Sequence, residues 1–452
     1  MKHALNPQEK VVAGKTVCCR ALVISTPQQR GKTLRFDALV MAVDDVKLSP
    51  FKTRMTVWQD EKVSSIARGA CIGCVAAFEK VETKGQSRQR NAYSYQRFLL
   101  SQGINTQAFV RSSTISKEQI EDCDIPLVGR LHLVAASLRR RVAQQYKLLG
   151  LDGDDLAVVV AMTLGEKQML NAQLKDDYSV AGASHVLALS GLHLGIIYAL
   201  LTMLLWRRNR LVTWRIGVSL VILFFIWNYV MLVGMPVSAV RSAVMLTVFG
   251  VCRVMLRQVG SLAALSFAAL VVVMHNPLAL FDVGFLMSFA SVASIVVAAT
   301  PLYEWITPRR MKQCAPSRWL CQLAAVSVSA QIGVAPIAMC CFQRFSCYFL
   351  LTNVVAVPLA TLLLYLSVAI VMLVPLPAVQ TSLMPLLQWA ASALNHSLHL
   401  IASLPNASVE GIRLSAVQAL LLYALLIAVG WGVKIVAQRK LYGVNYCRYP
   451  DV

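Results

Sequence analysis

Residues 182–197 read Gly-Ala-Ser-His-Val-Leu-Ala-Leu-Ser-Gly-Leu-His-Leu-Gly-Ile-Ile, so two serines, two histidines and three glycines stand in a stretch apolar enough for a membrane interior. From Val186 to Trp206 no formally charged residue occurs, and the run ends at Arg207-Arg208-Asn209-Arg210. A helix of about 20 such residues crosses the hydrocarbon core. Two chemistries are open to Ser190 and His193. A hydroxyl and an imidazole within hydrogen-bond reach can act as nucleophile and base. Alternatively, their i, i+3 spacing puts both on one helix face, where they form the hydrogen-bonding wall of a polar path. Gly191 and Gly195 would then permit close helix approach. Polar groups in lipid are costly unless they meet a partner or water, so either reading makes this segment part of a functional interior.

Other polar residues join it. Arg241 follows Pro236 and Ser238, Asp282 follows His275-Asn276-Pro277, Gln331 stands beside Gly333 and Pro336, and Asn353 precedes Pro358. A buried arginine needs a counter-charge or a phosphate, although Arg241 could also snorkel to the outer interface. His185, Ser190, Gly191, His193, Arg241, Asp282, Gln331 and Asn353 are therefore the candidate lining of a polar path. In the polar first part of the chain, Arg88, Arg90 and Arg97 interleave with Tyr93 and Tyr95. That mixture suits base stacking with phosphate contact; a packed helix with a solvated basic face has the same composition. Cys71-Ile-Gly-Cys74 has the spacing of half a zinc site, but no second pair of ligands accompanies it, so no metal or cofactor is expected. Most of the twelve cysteines read as small hydrophobes; a disulfide in an exported domain is compatible with them, but spacing does not assign it.

The elements that must position these residues follow from composition. At 57% hydrophobic and 14% charged residues, the chain is no ordinary soluble globule. Residues 1–180 hold 26 Lys and Arg against 18 Asp and Glu, and residues 181–452 hold 17 against 4. A polar, mildly basic domain thus precedes a membrane bundle. The net charge of +21 invites a polyanion partner, whereas basic cytoplasmic loops alone explain the excess in the membrane half.

Short alternating runs at 11–13, 17–24, 34–40, 54–58 and 70–78 predict five strands, a small barrel of OB type. Residues 130–149 predict a basic amphipathic helix on the membrane surface or against the bundle. Leu156–Leu164 is too short to span and is expected to be interfacial or re-entrant. Spans are predicted at 184–206, 216–234, 238–256, 261–275, 279–301, 319–341 and 413–433, and the loops at 207–215, 253–257 and 309–312 face the cytoplasm by their charge. The polar domain then lies outside. Between Arg344 and Arg413 no Lys or Arg orients the chain. There 348–375 is expected to dip in and out, with 380–402 in the interface, in preference to two crossings. The fold class is therefore mixed, a small OB-like β-barrel domain and a polytopic α-helical bundle with short interfacial or re-entrant helices. Its segments are a polar tail at 1–9, the OB-like domain at 10–115, a connecting segment at 116–180, the membrane domain at 181–440 and a cytoplasmic tail at 441–452.

The His185–Gly195 segment resembles the signature of the ComEC-type competence family. So do Thr163-Leu164-Gly165-Glu166-Lys167, Ser238–Met245, Asn276-Pro277, Gly284–Phe289, Gln331–Pro336, Asn353–Pro358 and Tyr93–Ile104. Leu286 stands where the family usually has glutamine, which removes one candidate polar wall group. The resemblance implies a multi-pass channel of the bacterial inner membrane that passes single-stranded DNA into the cytoplasm during natural transformation, with the soluble domain outside. It implies no covalent chemistry, and no Walker-type loop is present to couple energy. The partners implied are single-stranded DNA, membrane lipids, a DNA receptor, a cytoplasmic DNA-translocating ATPase or helicase, single-strand-binding proteins and, in a homo-oligomer, further copies of the chain. Many relatives carry a metallo-hydrolase domain at the carboxy terminus, which the present sequence lacks, so no nuclease step is carried over. The polar amino terminus raises the expectation that membrane helices precede it in the working protein. A second family also offers a match: Leu189-Ser190-Gly191 is similar to the serine loop of rhomboid-type intramembrane proteases, with His275 as the base. Ala188 stands where that loop has glycine.

Overall fold

A computed structural model describes residues 12–430 apart from 59–65, 81–98, 119–126, 206–211, 255–259 and some stretches of one to four residues. Seven strands come first: β1 (Thr16–Val23), β2 (Gln28–Arg30), β3 (Thr33–Val43), β4 (Val46–Trp58), β5 (Cys71–Lys80), β6 (Thr106–Val110) and β7 (Ser116–Glu118). Five close into a barrel in the order β1-β3-β4-β6-β5, with β5 pairing back onto β1; β4 and β6 run parallel and the other pairs antiparallel. Closure removes the free edges that would otherwise template aggregation. Strand alternation fills the interior: β4 buries Phe51, Thr53, Met55 and Val57 against Phe36, Val40, Phe78 and Val110. The parallel pair is pinned by two buried threonines in register, Thr53 donating to the Thr106 carbonyl at 3.0 Å and Thr106 to the Thr53 hydroxyl at 3.1 Å.

Three details differ from the strand pattern expected. Val12 is helical, and the fifth barrel strand is β6, a five-residue run with little hydrophobic contrast of its own. Leu48-Ser49-Pro50, which reads as a break, lies inside β4. There the β3–β4 register shifts between Val40 and Ala42, an irregularity that accommodates a proline within a strand. The hairpin turns at Asp44, whose left-handed backbone is steadied by its carboxylate accepting the Cys18 N–H at 3.0 Å. Cys71 is disulfide-bonded.

The helical part runs α1 (Leu127–Leu148), α2 (Gly153–Leu164), α3 (Ala172–Val180), α4 (Ser184–Leu187), α5 (Gly191–Leu205), α6 (Val212–Val233), α7 (Val237–Val254), α8 (Ser261–His275), α9 (Val283–Ile306), α10 (Ala315–Phe342), α11 (Phe349–Met372) and α12 (Pro377–Ala402), then an apolar helix α13 (Ala416–Gly430). Among the described residues, α6, α9, α10 and α11 are long and apolar enough to cross a membrane; α5, α7, α8 and α13 contain shorter apolar segments.

The expected first span is broken. The chain leaves α4 after Leu187 and resumes at Gly191, and the fifteen residues of α5 reach only about 22 Å. Residues 349–372 form one continuous helix despite Pro358, not a dip. α12 packs along α11, and the strands β8 (Arg344–Ser346) and β9 (Ser408–Glu410) tie the start of one to the end of the other. The expected interfacial placement of 156–164 also changes, because every residue from Leu156 to Leu164 is buried. α2 is the centre of the core, enclosed by side chains of α1, α3, α11 and α12. A short helix at membrane depth is tolerated only when enclosed in this way.

The barrel yields a chemical prediction. Cys19 and Cys74 face each other across β1 and β5 with sulfurs 3.6 Å apart, both buried, whereas Cys18 on the alternate face is exposed. The facing thiol and burial push the Cys19 pKa up, so that thiol offers no thiolate near neutral pH, and Cys74 is shielded by its burial. Maleimide labelling with peptide mapping should therefore modify Cys18 quickly, and Cys19 and Cys74 only after denaturation. Equal labelling of the three in folded protein would contradict the barrel register.

Candidate functional site

The break between α4 and α5 places Ser190 just before the first turn of α5, where its carbonyl accepts the Leu194 N–H at 3.4 Å. His193 is then the third residue of the helix, and its ring folds back. Nδ1 lies 3.3 Å from the Ser190 backbone N–H, which donates to it, and 3.0 Å from Ser190 Oγ. This is the back-reaching half of a capping box, with imidazole in place of the usual carboxylate. A ring nitrogen that accepts a backbone N–H carries no proton, so the proton of the neutral ring is on Nε2. That Nε2 is buried and has no partner.

α7 supplies the neighbouring wall. Ser238 Oγ donates to the Leu189 carbonyl at 2.8 Å, which holds the non-helical segment in place. Ser242 donates to the Ser238 carbonyl at 3.0 Å and packs so close to Gly191 that an added Cβ there would sit 3.1 Å from its hydroxyl. One helical turn from Ser238, Arg241 is buried and pairs through Nη1 with Asp282 Oδ2 at 3.0 Å. The other carboxylate oxygen of Asp282 caps α9 by accepting the Gly284 N–H at 3.1 Å. Gly284 lies under the guanidinium, where a Cβ would come within 3.3 Å of Nη2. Arg241 therefore turns inward to a carboxylate instead of snorkelling, and its Nε is a second buried N–H without a partner.

The remaining candidates make no hydrogen bond to this cluster among the described residues, although His185 lies near enough to His193 for an electrostatic interaction. His185 is exposed on α4, with Nδ1 3.2 Å from the Gly182 carbonyl. Gln331 is half-buried on α10, two residues before Gly333, whose missing side chain lets α10 touch the Ala290 carbonyl of α9. Asn353 lies near the start of α11 with a buried, unpartnered Oδ1, next to Thr352, which donates to the Ala181 carbonyl at 2.7 Å. Among the described residues, no hydrogen bond joins Gln331 or Asn353 to the Ser190–Asp282 cluster. Arg88, Arg90, Tyr93, Tyr95 and Arg97 lie outside the described residues, as does the side chain of His275.

Among the ion pairs that the sequence reading did not name, one engages a fully buried arginine. Arg139, in the middle of α1, is fully buried and donates through Nε to Glu166 at 3.4 Å and through Nη1 to the Leu232 carbonyl at the end of α6. The run Arg139-Arg140-Arg141 suggests a solvated face, yet helical periodicity turns one of three adjacent arginines inward. Glu166 follows Gly165, which ends α2 with φ +74°; a Cβ on that glycine would collide with Val233 at 2.6 Å and press on Leu189 at 3.3 Å. The turn after α2 is thus in contact with the segment that carries Ser190. No group of three or more His, Cys, Asp or Glu side chains able to hold a metal occurs among the described residues.

Comparison with known proteins joins these parts. The chain is 30% identical over 270 residues to ComE operon protein 3 of Bacillus subtilis, covering 60% of this chain and 32% of that protein. It is 26% identical over 221 residues to competence protein ComA of Neisseria gonorrhoeae, 45% of this chain and 30% of the relative. It is 22% identical over 213 residues to the uncharacterized protein YcaI of Escherichia coli, covering 45% and 27% respectively. The matches therefore span about a third or less of each relative's length. No solved structure matches. None of these comparisons supports the rhomboid-type protease reading. The model of the family described as Competence protein matches residues 162–434, from inside α2 through the broken helix and the Arg241–Asp282 pair, and the chain belongs to that family.

Proposed function

We propose that this chain is the inner-membrane channel component through which single-stranded DNA enters the cytoplasm in natural transformation. The observation that carries the reading is the cluster of Ser190, His193, Ser238, Arg241 and Asp282, a polar centre inside an apolar bundle with two buried N–H groups left over. Unpaired buried donors are uncommon in native proteins and ask for a partner. A phosphodiester strand supplies acceptor oxygens and negative charge at every nucleotide, which hydrocarbon cannot accommodate and a lumen of arginine, imidazole and hydroxyl groups can.

Membership of the competence family supports a role in DNA uptake of channel type, not a catalytic one. The positions of Ser190 and His193 agree with this. His193 Nδ1 accepts the Ser190 backbone N–H as well as facing the Ser190 hydroxyl, so its one lone pair is shared with a structural hydrogen bond, which favours a wall group over a base. Residues 10–115 would act outside the membrane as the collecting domain, with Arg88, Arg90, Tyr93, Tyr95 and Arg97 as strand contacts. The disulfide at Cys71 supports an oxidising compartment for that domain. Gln331 and Asn353 would line other stretches of the path, and a cytoplasmic motor would pull the strand.

Deletion complementation with a transformation assay that scores surface-bound and internalised DNA separately tests the reading. Arg241→Gln and Asp282→Asn should each lower internalisation roughly tenfold or more, since each strips one partner from a buried charge pair. Surface-bound DNA should be unchanged. Normal internalisation in both variants, with protein levels confirmed by blot, would remove the cluster from the path. Ser190→Ala should retain much of the uptake, whereas a nucleophile would lose essentially all function. In the complete chain, substituting Arg88, Arg90 and Arg97 together should weaken oligonucleotide binding and flatten its salt dependence by about 0.7 log units for each phosphate no longer neutralised. An unchanged salt slope would leave the barrel without that role.

A further inference from the structure

Arg139 presents the same arrangement as Arg241, at a place that the polar centre does not include. Its side chain is fully buried, yet Nη2 has no partner. Its carboxylate, Glu166, touches only Nε, at 3.4 Å, where a side-on pair would engage two nitrogens. Glu166 is also the more exposed partner, about a quarter open to solvent, and it sits in the non-helical turn after α2. Its neighbours in the chain are basic as well: Arg140 follows Arg139 on α1, and Lys167 follows Glu166 in the turn. The turn touches Leu189 through Gly165, one residue from Ser190.

We infer that Arg139 is a phosphate-binding station on the approach to the polar centre and that Glu166 is its built-in occupant, displaced when a phosphodiester of the strand arrives. A carboxylate and a phosphate compete for the same guanidinium. The phosphate brings more acceptor oxygens, enough to reach the orphaned Nη2 as well as Nε. Glu166 can leave without breaking a helix, because its backbone lies outside α2. Arg139 keeps its tie to the Leu232 carbonyl throughout, so the guanidinium stays oriented while the anion changes. While the site is empty of nucleic acid, the glutamate keeps the buried cation neutralised. The inference rests on the proposed DNA path and adds to it an entry site and the group that guards it.

The test is equilibrium binding of a fluorescent oligo-dT to the full chain in nanodiscs of neutral phosphatidylcholine, read by anisotropy across a salt series. Glu166→Gln removes the competing charge but keeps shape and hydrogen bonding. It should tighten binding severalfold, while Arg139→Gln should weaken it and lower the salt slope by about 0.7. A purely structural ion pair predicts the opposite for Glu166→Gln, namely a lower melting temperature with unchanged or weaker binding, and that result overturns the proposal. Tightening that disappears when anionic phosphatidylglycerol replaces part of the bilayer would assign the site to lipid phosphate and equally overturn it. Uptake in the deletion strain separates the two levels. If the wild-type chain restores internalisation but Glu166→Gln leaves oligonucleotide affinity unchanged, the station fails and the channel reading stands. If the chain neither binds oligonucleotide nor restores uptake, both fail.

Discussion

The carboxylate of Asp282 is the interaction on which the polar centre depends. Residues 181–452 carry seventeen basic side chains and four acidic ones, and this acid lies where α8 gives way to α9. One oxygen neutralises Arg241 and the other caps α9 through Gly284. A single group thus fixes the start of one helix and the charge of its neighbour. Removing one member of a buried ion pair leaves the other uncompensated, at a cost of about 3–5 kcal/mol. The glycine at 284 follows from the same constraint, since the guanidinium occupies the space above its Cα. Ser238 extends the arrangement one turn along α7 to the Leu189 carbonyl, and so to Ser190.

That last hydrogen bond explains how a broken helix survives in an apolar setting. At Leu189 and Ser190 the chain leaves backbone groups outside the helical ladder, and lipid offers nothing to satisfy them. Protein side chains do so instead. Ser238 takes the Leu189 carbonyl and His193 takes the Ser190 N–H. Elsewhere in the bundle the same rule recurs, with Tyr229 donating to the Thr163 carbonyl, Tyr146 to Ser367 and Gln380 to Ile370. Beside the Ser190 break, the buried N–H groups without a partner are His193 Nε2 and Arg241 Nε.

Much of this was legible in the sequence. Four of the five barrel strands, the basic helix and the helical bundle follow from period and hydropathy, and the membership follows from motifs such as His185–Gly195. What sequence could not supply has identifiable physical causes. Strand β6 is too short to announce itself and is defined by its parallel partner, through Thr53 and Thr106. The continuity of α11 through Pro358 depends on neighbours that enclose it, and Asn353 and Pro358 alone read as breakers. The burial of α2 is a property of the helices around it, because a nine-residue apolar run is compatible with an interface or a core. Arg139 was hidden by its neighbours, since three adjacent arginines look alike until the helix phase is known.

The phase of α1 has a structural consequence that composition conceals. A helix that follows a polar barrel and carries five Arg or Lys residues reads as a surface element. Its inward side, however, sets Arg139, Val142 and Tyr146 against the end of α6, the turn after α2 and α11. The helix that follows the barrel in the chain therefore meets the same turn that touches Leu189. Two arginine–carboxylate pairs bracket the Ser190 break, Arg139–Glu166 where α1 and α2 meet it and Arg241–Asp282 where α7 and α9 do. They differ in a way that matters. Asp282 is committed at both oxygens and anchors a helix, whereas Glu166 holds a single nitrogen from a turn. The carboxylate of Asp282 is thus held at two points and that of Glu166 at one.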